Sequence, residues 1–165
     1  MFRLACALLF CWLVVSVRAA DAKWYYDVPQ AQAVAKKEKK LVLLDFTGSD
    51  WCGWCKKLKA EIFSTPEFNN YARTNLVLVE IDFPHYKPLS PELMATNEKL
   101  QEKYGVQGFP TILVLDSNGK EIWRLGGYAP GTPADWIRTL DVLKVRPDEG
   151  RSMKPFAAST AGKRG

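Results

Sequence analysis

The chain has 165 residues, of which 47% are hydrophobic and 12% aromatic, and its formal net charge is +5. This length suits one domain and is too short for two, and six Trp residues can fill a core, which excludes a disordered or fibrous chain. The mild charge forms no concentrated basic stripe, so we expect no nucleic-acid partner. The single histidine, His85, excludes most multi-histidine metal sites and argues against a Ser-His-Asp triad.

The amino terminus has the pattern of an export signal. A short cationic start precedes the uncharged apolar run Leu4–Val17, and small residues follow this run, with cleavage predicted after Ala19 or Ala22. A spanning helix needs about 20 apolar residues, so a signal peptide at 1–22 is favoured over a membrane anchor. We therefore expect an exported protein, in a bacterial periplasm or secreted, and the lumen of the endoplasmic reticulum stays open as the alternative.

The rest of the chain alternates between helical and strand patterns. Helices are predicted at 27–40, 52–63, 66–75, 92–104 and 133–144, and strands at 41–46, 76–82, 111–116 and 121–125. The runs Leu41–Phe46 and Leu76–Asp82 are mostly apolar, which is typical of strands covered on both faces. The order of elements predicts an α/β domain at 23–145 with a central mixed sheet and helices on both faces. Residues 146–165 are polar or small and are predicted to form a disordered tail.

Two of the four cysteines remain after removal of the signal, and they stand three positions apart in the segment Trp51–Cys55. Residues with this spacing share one face of a helix, which brings the sulfur atoms of Cys52 and Cys55 within reach of a disulfide. A helix that begins near Cys52 places its sulfur at unpaired backbone N–H groups, which favour the thiolate, and Lys56 and Lys57 add positive charge. Cys52 is therefore predicted to be the nucleophile and Cys55 the thiol that resolves the mixed disulfide.

Two other roles for the cysteine pair are less favoured. A closed zinc site needs four ligands, and only His85 and carboxylates could be added to the two thiolates, so no metal site is predicted. A purely structural disulfide would close a loop so short that it restrains little of the unfolded chain. Redox exchange is the prediction that remains.

Several motifs in the same order resemble the thioredoxin superfamily over about Trp24–Val145. They are the strand Leu41–Phe46, the Trp-Cys-Gly-Trp-Cys-Lys segment, the Gly-Phe-Pro-Thr segment Gly108–Thr111 and the pair Gly126–Gly127. These motifs are especially similar to exported thioredoxin-like domains of bacteria and to the carboxy-terminal domain of the membrane thiol:disulfide interchange protein. The resemblance implies a three-layer α/β/α sandwich and a thiol–disulfide oxidoreductase that acts on protein substrates, with reduction favoured. It also implies no cofactor beyond the cysteine pair, and a redox partner, with a membrane protein as one candidate, that recycles it.

The resemblance also implies roles for individual residues. Pro110 matches the cis-proline of the family, which packs against the disulfide and leaves the Phe109 backbone free to pair with an extended substrate segment. Asp45 matches the buried acid that shuttles the proton of Cys55, and a strand-end carboxylate bonded to the backbone is the alternative. A docking patch is implied at the residues around and between the cysteines: Trp51, Gly53, Trp54, Phe109 and Gly127.

The chain departs from the thioredoxin pattern in three places. One extra residue stands before the first cysteine, which leaves Glu61 or Glu80 open as a substitute for Asp45 as the acid. The dipeptide Gly53–Trp54 matches neither thioredoxin nor disulfide isomerase, so the direction of electron transfer does not follow from a subgroup. The loop Phe83–Pro91 is longer than in thioredoxin. A non-catalytic module of the same fold that binds peptides or a metal stays open as the alternative function.

Overall fold

This computed structural model describes residues 21–153, which contain five strands and five α-helices. The strands are β1 (Trp24–Tyr25), β2 (Leu41–Thr47), β3 (Leu76–Asp82), β4 (Thr111–Leu115) and β5 (Glu121–Gly126). The helices are α1 (Val28–Glu38), α2 (Gly53–Leu58), α3 (Pro66–Asn75), α4 (Pro91–Lys103) and α5 (Pro133–Val145). A π-helical turn at Lys59–Phe63 continues α2, and a 3-10 helix at Pro147–Arg151 follows α5.

Strand β2 lies at the centre of the sheet, and all seven of its residues are buried. The strand order is β1-β3-β2-β4-β5, with β3 parallel to both β1 and β2. The remaining pairs, β2 with β4 and β4 with β5, are antiparallel. Helices cover both faces, which confirms the predicted α/β sandwich around a mixed sheet. No helix within residues 21–153 is long and apolar enough to cross a membrane.

Side-chain caps explain why most helices begin where the sequence predicts. Four helices begin after a residue whose side-chain oxygen accepts a backbone N–H of the first turn, and each has a proline in that turn. These capping residues are Asp27, Thr65, Ser90 and Thr132. Helix α2 is different, because its capping residue is Cys52 and the acceptor is sulfur. The predicted helix 52–63 is therefore present, but as a short α-helix followed by a π-helical turn.

Alternate residues of β2 pack into two separate hydrophobic clusters. Leu41 and Leu43 belong to the cluster that contains Leu58 of α2. The alternate residues Val42, Leu44 and Phe46 pack into the cluster on the α1 side. Successive strand residues point to opposite faces, so Asp45 lies on the same face as Leu41 and Leu43. The one acidic residue of β2 is thus directed to the layer that holds the cysteine-bearing helix.

Both ends of the domain extend beyond the predicted boundaries. Ala22, which the prediction placed in the signal segment, is buried, and its backbone N–H donates to the side-chain oxygen of Asn69 at 2.8 Å. Residues 147–151, predicted as disordered, form the 3-10 helix, and Gly150 within it is buried against β5. Neither contact has a local sequence signal, because each joins residues far apart in the chain. The rest of the predicted signal segment and tail lies outside residues 21–153.

The packing of Gly150 generates a prediction about stability. A Cβ atom on this residue would overlap the backbone oxygen of Ile122 and would lie 2.5 Å from Cδ2 of Leu143. We expect Gly150→Val to lower the free energy of unfolding by about 1–3 kcal/mol, measured by urea denaturation, because such overpacking forces the backbone to shift. Gly126→Ala is the control, since nothing lies within 4 Å of the Cβ added there. Equal losses in the two variants would contradict the packing argument.

Candidate active site

The cysteine pair lies where β2 leads into α2. The backbone N–H groups of Trp51 and Cys52 both donate to the carbonyl oxygen of Gly48, and this turn places Cys52 at the start of the helix. Cys52 and Cys55 form a disulfide with their Cα atoms 5.3 Å apart, which confirms the predicted pairing. Within residues 21–153, no three His, Cys, Asp or Glu side chains are grouped so that they could hold a metal ion.

The surroundings of Cys52 contain the backbone donor that the sequence predicts. The N–H of Cys55 donates to the sulfur of Cys52 at 3.2 Å, and a donor at this position stabilises a thiolate once the disulfide opens. The two lysines behind the pair have other partners. The ammonium group of Lys56 donates to the backbone oxygen of Asp50 at 2.7 Å, and that of Lys57 lies 5.6 Å from the ring centre of Trp54. Neither ammonium group is therefore assigned a direct contact with the sulfur of Cys52.

Asp45 lies on the face of the sheet that α2 covers, and it is only 4% exposed. Its Oδ1 atom has no hydrogen-bond partner among the described residues, so the alternative of a backbone-bonded carboxylate does not apply to this oxygen. Burial and the negative charge of Glu80 raise the pKa of Asp45 to about 8; the ammonium group of Lys59 opposes the rise, and Asp82 adds to it. A carboxyl with a pKa near neutrality can both accept and return a proton.

The two acids that the sequence left open as substitutes occupy different positions. Glu61 lies at the surface, where it accepts a hydrogen bond from the hydroxyl of Tyr128. Glu80 stands opposite Asp45 in the parallel pair of β2 and β3, and its carboxylate forms an ion pair with Lys59 at 2.9 Å. Asp45 is therefore the buried acid of the three, and Glu80 acts on it through its charge.

The loop before β4 approaches the cysteine pair from one side. The peptide bond between Phe109 and Pro110 is cis, as the resemblance implied, and the backbone N–H of Gly127 donates to the carbonyl oxygen of Pro110 at 2.7 Å. The ring of Trp51 meets that of Phe109 edge to face, with the ring centres 6.0 Å apart. These contacts place Phe109 against the residue that precedes Cys52 and attach Gly127 to the adjacent Pro110.

Trp54 and Tyr128 form the other side of the site. The ring of Trp54 is 58% exposed and stacks on that of Tyr128, with the ring centres 5.2 Å apart. Gly53, between the cysteines, is exposed and has open space around it. Tyr128 was not predicted, although its place directly after Gly127 was a signal that could have been used. We name the surface formed by the rings of Trp51, Trp54, Phe109 and Tyr128, together with the backbone of Gly127, the aromatic rim.

Asp50 holds the loop Phe83–Pro91 against the site, and sequence analysis did not single it out. Its carboxylate accepts three backbone N–H bonds at 2.8–2.9 Å from successive loop residues, which are His85, Tyr86 and Lys87. Trp51 adds a hydrogen bond from its ring nitrogen to the carbonyl oxygen of Phe83 at 2.8 Å. Trp51 also stacks on His85, with the ring centres 4.4 Å apart. The long loop is thus attached to the two residues directly before Cys52.

Known proteins share this domain. Residues 28–141 match the family model described as a thioredoxin-like domain. The chain is 35% identical over 131 residues to the disulfide bond reductase DsbH of Chlamydia pneumoniae. This alignment covers 79% of this chain and 78% of that protein. The chain is 34% identical over 103 residues to the thiol:disulfide interchange protein DsbD of Photorhabdus laumondii. That match covers 61% of this chain but only 16% of the larger protein.

Solved structures share the architecture as well. The structure of a DsbH oxidoreductase aligns with a TM-score of 0.71 at 35% identity, over 79% of this chain and 90% of that one. A thioredoxin from Thermus thermophilus aligns with a TM-score of 0.59 at 22% identity, over 79% of this chain and 92% of that one, and this likeness supports the fold alone. The family match, the DsbH relationship and the cysteine pair in one domain lead to the same assignment. The chain belongs to the thioredoxin-like family and is a thioredoxin-fold disulfide oxidoreductase.

Proposed function

We propose that this protein reduces disulfides in other proteins outside the cytoplasm. The observation that carries the proposal is the cysteine pair at the start of α2, with the buried acid Asp45 on the strand that this helix covers. The direction of electron transfer is supported by the relationship to DsbH, whose name describes a disulfide bond reductase. The compartment is supported by the predicted export segment and by the Dsb relatives.

The reaction begins from the dithiol form of the pair. The thiolate of Cys52 attacks one sulfur of the substrate disulfide, which forms a mixed disulfide and releases the other substrate sulfur as a thiolate. In the molecules whose Asp45 is ionised, Cys55 then transfers its proton to this carboxylate and attacks the sulfur of Cys52, and this breaks the mixed disulfide. The second substrate thiolate leaves and is protonated, so that two electrons have passed to the substrate and the Cys52–Cys55 disulfide remains.

Substrate binding is assigned to the aromatic rim and the loop before β4. The backbone of Phe109 would pair with an extended substrate segment, as in the addition of a strand to an existing backbone edge. The exposed rings of Trp51 and Trp54 offer apolar contacts on either side of Cys52. A second dithiol protein must then return two electrons to the disulfide, and we propose that this partner is bound to the membrane.

The two cysteines have different predicted phenotypes. Cys52→Ser removes the nucleophile and is expected to abolish the reduction of insulin with dithiothreitol as the electron source. Cys55→Ser retains the attack but not the resolution, so mixed disulfides with substrate proteins are expected to accumulate and to be seen on non-reducing gels. The double variant is the control and should form no such adducts. Full turnover by Cys52→Ser would rule out the mechanism.

The buried acid predicts a pH dependence of stability. Below about pH 4 the carboxyl of Asp45 is protonated in both the folded and the unfolded protein, because its ordinary pKa is 3.8. Between that pH and about 8 only the folded protein retains the proton, so stability falls by up to about 1.4 kcal/mol for each pH unit, and the loss ends above the folded pKa. We therefore expect Asp45→Asn to be more stable than the wild type at pH 8, with an advantage that disappears towards pH 4.

Urea denaturation across this pH range measures the effect. Asp148→Asn is the control, since the Asp148 side chain is 92% exposed and its removal should give no such pH-dependent difference. A constant difference between Asp45→Asn and the wild type at every pH would contradict the buried, protonated carboxyl.

The loop held by Asp50 gives a prediction about substrate binding. Asp50→Ala removes the acceptor of three loop N–H groups, so the loop no longer supports Trp51, and we expect the KM for insulin to rise about fivefold. The rate at which iodoacetamide alkylates Cys52 should stay near that of the wild type, because the turn at Gly48 is unchanged. Asp116→Ala is the matched control, since Asp116 accepts two turn N–H groups at the opposite end of the sheet. A similar KM for the two variants would exclude the loop from binding.

A further inference from the structure

A cavity of about 320 Å³ lies under the loop that Asp50 holds. Loop residues that include Lys87 form one wall, and the other wall contains Lys59, Glu80 and Asn97. Asn97 is only 2% exposed, and its Oδ1 atom has no hydrogen-bond partner among the described residues. The lining of this cavity thus brings a buried polar side chain, Asn97, together with the charged groups of Lys59 and Glu80.

The wall of this cavity includes the residue directly opposite the buried acid. Glu80 and Asp45 are register partners in β3 and β2, where adjacent parallel strands are about 4.8 Å apart and paired side chains share a face. Lys59 begins the π-helical turn after α2, and its ammonium nitrogen lies 2.9 Å from the carboxylate of Glu80. The Glu80 side chain is 13% exposed and that of Lys59 is 51% exposed. The ion pair therefore connects the register partner of Asp45 to a lysine that is partly exposed to solvent.

Few other charges act on Asp45. Strand β3 contributes Glu80 and Asp82, the π-helical turn contributes Lys59, and the cysteines of α2 are uncharged in the disulfide. Strand β4 places an uncharged residue, Ile112, opposite Asp45. Asp82 already accepts two hydrogen bonds from the turn that precedes α2. The other groups that line the cavity and can carry charge are Tyr26 and Lys87.

We propose that Glu80 and Lys59 are positioning residues that set the proton affinity of Asp45, and with it the pH range in which Cys55 exchanges its proton. The carboxylate of Glu80 opposes ionisation of Asp45, and the ammonium group of Lys59 favours it. The Glu80 carboxylate, which is 13% exposed, is screened less than a surface charge would be, whereas solvent weakens the effect of the half-exposed Lys59. The inference rests on the proposed function, in which Asp45 accepts the proton of Cys55.

The opposite signs of the two charges provide the test. The full chain in its disulfide form is titrated, and the carboxyl of Asp45 is followed by its infrared absorption, with Asp45→Asn to identify the band. Glu80→Gln is expected to move the midpoint to lower pH and Lys59→Met to higher pH, each by about one unit. Arg146→Met and Glu149→Gln are the matched controls, because they break an exposed ion pair of 2.8 Å in the carboxy-terminal segment and should leave the midpoint unchanged.

A purely structural ion pair would behave differently. It would lower the melting temperature in both variants and leave the midpoint at the wild-type value, and that result, or shifts of both variants in the same direction, would overturn the proposal. The titration measures ionisation and not turnover. Its outcome is therefore independent of whether the protein reduces insulin, a question that the cysteine variants answer.

A kinetic readout connects the same residues to the chemistry. When dithiothreitol reduces the disulfide, its thiolate attacks Cys52, and Cys55 leaves as a thiolate that takes the proton of Asp45. The rate of disulfide reduction, divided by the concentration of dithiothreitol thiolate, is expected to fall as the pH rises and Asp45 loses its proton. This fall should shift to lower pH in Glu80→Gln and to higher pH in Lys59→Met. If the pH at which the rate falls is the same in both variants as in the wild type, Glu80 and Lys59 take no part in the mechanism.

Discussion

The site depends on one carboxyl group that is buried in the central strand of the sheet. Asp45 occupies the only acidic position of β2, on the face that the cysteine-bearing helix covers. Water does not solvate its charge, so the group holds its proton up to a pH of about 8. Reduced screening also strengthens the effect of the nearby and mostly buried charge of Glu80. The fold thus tolerates a cost in stability at the place where we propose that a proton is exchanged.

The groups proposed for the exchange reaction and those proposed for substrate binding lie on different parts of the fold. The groups that we propose to react are held by backbone and sheet: Cys52 by the turn at Gly48 and by the start of α2, and Asp45 by its register in β2. The surface that we propose to meet a substrate is formed by Trp54 of α2 and the ring of Tyr128 on one side, and by the loop attached to Asp50 on the other. Such a surface can change between related proteins without a change in the exchange reaction, because loops tolerate substitution better than the sheet does.

Much of the fold was predictable because it follows from local patterns. The apolar runs of β2 and β3 and the capped helices with an early proline appear within short windows, and the structure gives them bounds within a few residues of those predicted. The cysteine pair was predictable for the same reason, since its spacing and its place at a helix start are local. The strand β1 has only two residues, too few for any periodicity, and the 3-10 helix Pro147–Arg151 depends on its packing against β5.

The sequence alone determined the fold class and the two cysteines, because hydrophobic periodicity, helix caps and the spacing of motifs are properties of neighbouring residues. Its resemblance to the thioredoxin superfamily implied the cis-proline and favoured Asp45 as the acid, with Glu61 and Glu80 left open. The tertiary structure decided which of three acids is buried beside α2, and that Asp50 binds a loop some 35 residues away. It also decided that Lys59 neutralises Glu80 next to Asp45. Hydrogen bonds and charges between distant segments depend on distances in space, and only the packing of β2, β3 and α2 against one another establishes those distances.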